Sequence, residues 1–343
     1  MTKPKIAFYW CASCGGCEEA VVDLGEALLT VAGLVEVAFW PVALDFKRED
    51  VEALDDGELA AVFINGAVRT SEQEEMASLL RRKSAAVVAF GSCATHGGIP
   101  GLANLYDSGD ILDVVYHQAP SLENGGGTMP SGKSHVAEGQ LTLPAFGATV
   151  RTLGQVIDVD YYLPGCPPPT GLIASAVTAL VEGKLPGKGA VLAPDVALCS
   201  ECPRAATKPD KLLLREFRRP HQVLIDPELC LLAQGLVCLG PATRAGCAAA
   251  CPGGNMPCTG CMGPTSGVAD HGAKALSAVA SLLDVNDEDE TVLRIAEIAD
   301  PVGTFYRYGL PGSLLHRRVR KAAQGDGHPA AEQEPANREK VAS

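Results

Sequence analysis

Lys5-Ile6-Ala7-Phe8-Tyr9-Trp10-Cys11-Ala12-Ser13-Cys14-Gly15-Gly16-Cys17-Glu18-Glu19 joins a short apolar run to a loop with three thiols. Lys5 to Trp10 reads as a strand, and beyond the loop Val21, Leu24, Leu28 and Val31 recur at helical spacing. Cys14 and Cys17 stand in a Cys-x-x-Cys spacing that lets two thiolates point at one centre, and Gly15-Gly16 frees the backbone to wrap around it. Two sulfurs do not fill a tetrahedral site, so further ligands have to come from elsewhere in the chain.

The same alternation continues outward from that stretch. Strands are expected at Val35 to Trp40, Leu59 to Ile64 and Ala85 to Phe90, and a capping box at Ser71 to Glu74 opens a helix through Met76, Leu79 and Leu80. Short apolar strands separated by helices make a parallel α/β sheet, in which ligands sit beyond the carboxyl ends of the strands. Cys14 and Cys17, and Gly91-Ser92-Cys93, occupy that position and should face one crevice. From about Ser108 to Ala148 the pattern dissolves into Gly, Pro and polar residues, which reads as an insertion or long loop rather than sheet. A strand at Val156 to Tyr162 then ends at Cys166, and a helix runs from about Thr170 to Glu182.

Gly183 to Pro194 reads as a linker, so the first domain is expected over residues 1–185. Residues 195–320 form a second, irregular domain stapled by metal, with a helix at Gly272 to Leu283. Residues 322–343 are polar and expected to be disordered.

At 343 residues and 47% hydrophobic, the chain can bury proper cores. A net charge of -13 disfavours nucleic acid or an anionic membrane as partner. Met1-Thr2-Lys3-Pro4 runs into the first strand without a leader pattern, and no apolar run approaches a membrane span, so a soluble cytoplasmic protein is expected. In that compartment thirteen cysteines point to metal rather than to disulfides.

Eight of those cysteines fall between Cys199 and Cys261. Sequence order divides them into Cys199, Cys202, Cys230 and Cys238, then Cys247, Cys251, Cys258 and Cys261; spacing alone leaves interleaved sets open. With Cys14, Cys17, Cys93 and Cys166 this makes three groups of four thiolates, a donor set for zinc or for iron-sulfur clusters. A redox chain explains three such sites better than three structural zinc ions do. Cys11 is left over and reads as a spare buried thiol.

These residues resemble the small subunit of nickel-iron hydrogenases. The matching stretches are Cys14-Gly15-Gly16-Cys17, Gly91-Ser92-Cys93-Ala94-Thr95-His96-Gly97-Gly98, Pro164-Gly165-Cys166-Pro167-Pro168 and the cysteine-rich region, together roughly residues 5 to 265. The resemblance implies a flavodoxin-like first domain and three 4Fe-4S clusters. The proximal ligands would be Cys14, Cys17, Cys93 and Cys166, the distal ones Cys199, Cys202, Cys230 and Cys238, and the medial ones Cys247, Cys251, Cys258 and Cys261. It also implies an electron-transfer subunit of an oxidoreductase acting on dihydrogen, whose nickel-iron site lies on a separate large subunit. The absence of a leader, Cys199 where exported relatives have histidine, and Cys251 where many have proline resemble the cytoplasmic methyl-viologen-reducing type. That type passes electrons to heterodisulfide-reductase-like iron-sulfur flavoproteins. A complex I-like quinone reductase subunit shares the first domain only, and a zinc-held scaffold is the non-redox alternative.

Gly127-Thr128-Met129-Pro130-Ser131-Gly132-Lys133-Ser134 matches a phosphate-loop pattern, yet no buried strand precedes it and no helix follows, so a nucleotide site is not expected. Glu18 and Glu19 fit the first turn of a helix or a proton path, and His96 a loop hydrogen bond, a ligand or a relay.

Overall fold

The computed structural model describes residues 3–285 and 287–318; the expected disordered tail lies outside them. In chain order the elements begin β1 (Lys5–Trp10), α1 (Gly16–Val22), α2 (Glu26–Leu34), β2 (Glu36–Phe39), α3 (Arg48–Glu52), β3 (Ala61–Asn65), β4 (Val68–Thr70), α4 (Ser71–Lys83), β5 (Val87–Phe90) and α5 (Gly91–His96). There follow α6 (Ser108–Asp113), β6 (Lys133–Val136), β7 (Gly139–Thr142), β8 (Phe146–Arg151), β9 (Tyr161–Leu163), α7 (Thr170–Val181) and β10 (Ala190–Val191). The last are α8 (Ala250–Gly253), α9 (His271–Ala280), α10 (Glu288–Ala296) and α11 (Pro301–Phe305).

Six strands form one parallel sheet in the order β10-β9-β5-β3-β1-β2. Its β2-β1-β3-β5-β9 part repeats the flavodoxin order, in which the chain reverses direction between β1 and β3 and opens a crevice there. Alternate residues supply two cores. Ile6, Phe8, Phe63, Val88 and Phe90 face α1 and α7. Ala7, Val62, Ile64, Val87 and Ala89 face α4 through Met76, Ala77, Leu79 and Leu80. All five residues of β3 are buried, as a central strand covered on both faces requires.

Several expectations shift for local reasons. The first helical stretch is two helices, broken where Gly25 takes φ +58. The cap of α4 is one residue earlier than expected: the Thr70 side chain accepts from the Gln73 N–H, and the Gln73 carboxamide answers to the Thr70 N–H. The strand expected over Val156 to Tyr162 is confined to β9, with a 3-10 turn at Leu153–Gln155 before it. The linker after Gly183 contributes β10, which pairs with β9 at the edge of the sheet. The insertion is not wholly loop, because β6 and β7 pair as an antiparallel hairpin with every residue exposed. Lys133 and Ser134 therefore open a strand, so the helix N-terminus that a phosphate loop needs is not at this place.

Beyond β10 the chain has few regular elements. Its core gathers Leu198, Leu214, Phe217, Leu232, Leu236 and Phe305 together with Cys238 and Cys258. The chain then returns to the first region: Tyr308 O accepts from Gly98 N–H, Pro311 O accepts from Gln155 Nε2 at 2.9 Å, and Arg318 N–H donates to Asn104 O. Pro311 also packs so tightly on Gly97 and Gly101 that a Cβ on either would lie 2.3 or 2.4 Å from its ring. Among the described residues no helix is long and apolar enough to cross a membrane.

Candidate metal centres

The segments leaving the carboxyl ends of β1, β5 and β9 carry Cys14 and Cys17, Cys93, and Cys166, with Cys17 in the first turn of α1 and Cys93 in α5. Ser92 N–H donates to Gly165 O at 2.7 Å and ties the second loop to the third. The structure brings the four thiols within one another's electrostatic reach. Burial raises Cys17 above the usual thiol range, and Cys93, Cys166 and Cys14 add to it. Burial, then Cys166 and Cys14, push Cys93 up to about 12. Cys17 and Cys93 are buried, whereas Cys14 and Cys166 are exposed at the rim.

Two glycines make room for these sulfurs. A Cβ on Gly91 would lie 2.4 Å from Cys17 Sγ, and one on Gly98 2.3 Å from Cys93 Sγ; both residues have positive φ, +85 and +60. The loop before α1 is ordered from behind by Asn65, which accepts from Ser13 Oγ at 2.9 Å and donates to Glu18 Oε1 at 2.6 Å. Glu18 is 4% exposed and also accepts from Trp40 Nε1 at 2.5 Å. Burial raises its pKa while those two hydrogen bonds lower it, and burial prevails. Its oxygens are thus committed to the loop's scaffold.

Cys199, Cys202, Cys230 and Cys238 line a cavity of about 50 Å³ closed by Leu198 and Pro252. Burial and then Cys238 push Cys199 up to about 11, with smaller contributions from Cys202 and Cys230. Burial pushes Cys261 up to about 12, and Cys247 and Cys251 add to it, while Cys258, raised first by burial, feels Cys238 of the neighbouring set more than Cys261. Among the described residues no three His, Cys, Asp or Glu side chains converge as ligands of one metal ion do.

The sets meet end to end. Cys261 stands within electrostatic reach of Cys166, and Ser92 Oγ donates to Cys261 O at 2.5 Å. At the other junction the Cys258 N–H donates to Cys238 Sγ at 3.3 Å. The spatial order is therefore the Cys14 set, the Cys247 set, then the Cys199 set, which differs from the order along the chain.

Cys11 stands apart in the core beneath α4, its N–H donating to Asn65 O at 2.8 Å and burial alone pushing its thiol up to about 12. His96 makes no loop hydrogen bond through Nε2: that atom is shut off from solvent with no partner among the described residues. Burial first, then His271 and Arg244, lower its pKa to about 4, so the ring is neutral at pH 7. It packs on Gly263, where a Cβ would lie 2.1 Å from Nε2. Sequence reasoning quoted Gly91, Ser92 and Gly98 within its stretches without giving them a role, and passed over Glu201, a carboxylate between Cys199 and Cys202 that accepts three backbone N–H groups from the Cys247 loop. An acid inside a Cys-x-x-Cys pair was the available signal for Glu201.

The family model described as "NADH ubiquinone oxidoreductase, 20 Kd subunit" matches residues 14–180. The iron-sulfur subunit of the F420-non-reducing hydrogenase of Archaeoglobus profundus is 39% identical over 323 residues, covering 92% of this chain and 99% of its own. The corresponding F420-non-reducing hydrogenase subunit of Methanothermobacter marburgensis is 39% identical over 324 residues, covering 93% of this chain and 98% of its own. Among solved structures, the NiFeSe hydrogenase of Desulfovibrio vulgaris Hildenborough aligns with TM-score 0.49 and 18% identity over 78% of this chain and 95% of that one.

Proposed function

The chain belongs to the family of iron-sulfur subunits of F420-non-reducing hydrogenases, and on that premise we propose that it is the cytoplasmic electron-relaying small subunit of a nickel-iron hydrogenase. In this reading residues 1–185 hold a proximal 4Fe-4S cluster on Cys14, Cys17, Cys93 and Cys166. Residues 195–320 hold a medial one on Cys247, Cys251, Cys258 and Cys261 and a distal one on Cys199, Cys202, Cys230 and Cys238. Electrons pass between dihydrogen chemistry on a separate large subunit and a heterodisulfide-reductase-like or flavin-containing acceptor.

The observation that carries this reading is the end-to-end meeting of the thiol sets, through Ser92 beside Cys93 donating to Cys261 O and the Cys258 N–H donating to Cys238 Sγ. A scaffold held by separate ions has no need of such contact, whereas a relay does. The donor sets fit the group. Four thiols around a shared cavity suit a cluster, whose corner irons hold sulfurs apart. Burial makes bare thiolates costly at every set, so a cationic iron centre is the partner that stabilises them.

When bound, such clusters supply one-electron steps without atom transfer. The chain's own residues exclude water from Cys17, Cys93, Cys238 and Cys258, and aim backbone N–H groups at sulfur, which adjusts the potential. The rim with Cys14, Cys166 and the 38% exposed Trp10 is the face offered to the large subunit.

A quinone-reductase reading draws on the family model, but that match ends at residue 180, before eight of the thirteen cysteines. Metal analysis with paramagnetic resonance on the anaerobically purified chain tests the proposal: about twelve irons and no zinc are expected. Zinc in three sites without cluster absorbance would overturn it.

A further inference from the structure

Glu201 lies within the Cys199–Cys202 pair, yet its carboxylate serves the neighbouring set. Its Oε1 accepts from the N–H groups of Gly246 at 3.0 Å, Cys247 at 3.1 Å and Ala249 at 3.2 Å. Converging backbone N–H groups form an anion-binding nest. This one is built from backbone in a costly conformation, since Ala248 and Ala249 have φ +51 and +49. The left-handed region is disfavoured for an L-residue because its Cβ crowds the following carbonyl oxygen. Ala249 is fully buried and is the residue from which α8, carrying Cys251, starts. The shape of this loop therefore sets where both Cys247 and Cys251 stand.

We propose that Glu201 is a positioning residue that clamps the Cys247–Cys251 loop to the Cys199–Cys202 loop and, by its charge, lowers the reduction potential of the centre on the Cys247 set. The second half rests on the reading above that this set holds a redox cluster. Reduction adds negative charge beside Cys247, whose own N–H the Glu201 carboxylate accepts, and that neighbouring carboxylate opposes the added charge.

The test uses the intact hydrogenase complex carrying Glu201→Gln, Glu201→Ala or Glu201→Asp. Hydrogen exchange of peptides covering residues 244–252 reads the clamp, and a redox titration followed by paramagnetic resonance reads the charge. Glu201→Gln keeps an acceptor oxygen, so exchange should stay near wild type while one cluster potential rises and the others hold. In Glu201→Ala, exchange should speed up by about tenfold or more, as expected for lost hydrogen bonds to a charged group. Glu201→Asp should return the potential toward wild type. Unchanged exchange in Glu201→Ala overturns the clamp, and unmoved potentials in Glu201→Gln overturn the charge effect. A wild-type complex without cluster signals would instead sink the redox reading, while the exchange measurement still decides the clamp.

Discussion

Cys14 and Cys166 hang exposed from the carboxyl ends of strands whose interior is Ile6, Phe8, Val88 and Leu163, with Cys17 of that set inside the same core, whereas Cys238 and Cys258 belong to a core with no sheet beneath it. The first region buries two apolar faces of a six-stranded sheet, so hydrophobic area supplies most of its stability. Among the described residues beyond 195 the longest regular element is a helix of ten residues, so on the proposed reading ligand bonds add to a core that no sheet supports. On the proposed reading, metal should therefore matter less to the fold of the first region than to that of the second.

Stripping metal from the purified chain is the strongest way to break this contrast. Amides in residues 195–318 should lose exchange protection by orders of magnitude while β1, β3 and β5 keep theirs; equal loss in both regions would erase the distinction. A pair of point changes sharpens it. Cys14→Ser and Cys238→Ser should each remove about four irons. Cys238→Ser should also cost several kcal/mol in denaturant melts, and Cys14→Ser less than about 1 kcal/mol. Similar costs would show that both regions depend on metal alike.

Gly98→Ala probes how closely the first frame is fitted to its thiols. The added Cβ would lie 2.3 Å from Cys93 Sγ on backbone at φ +60. A cost of about 1–3 kcal/mol with selective loss of the proximal signal is expected; full occupancy would mean the loop can give way. The smallest effect belongs to Cys11→Ala, which should leave iron content unchanged and cost about 1 kcal/mol of packing. Loss of iron there would move Cys11 from the core to the site.

The sheet could be read from the sequence because its strands are apolar runs of the expected length, each with a period switch after it. Cys93 and Cys166 could be matched to Cys14 and Cys17 because strand ends in a parallel sheet share one edge. Boundaries were harder where tertiary pairing decides. Two residues, Ala190 and Val191, carry no strand signal of their own and become β10 only because Tyr161 and Tyr162 offer an open edge. The hairpin of β6 and β7 lacks the apolar alternation that announces strands, having no buried face. Spacing left the partners of Cys247 and Cys258 open, since nothing in the linear order says that Cys261 will stand beside Cys166.

The return of the chain onto the β5 loop has a consequence in time. Gly98, which leaves room for Cys93 Sγ, is held by the carbonyl of Tyr308, and Gly97 and Gly101 are covered by Pro311. During synthesis that wall is the last to arrive, more than 200 residues after the cysteine it covers has left the ribosome. The sheet can assemble early, but the pocket around Cys93 stays open until the C-terminal segment closes over it. The chain thus has a built-in interval in which the folded sheet is present and the first site is still accessible from outside.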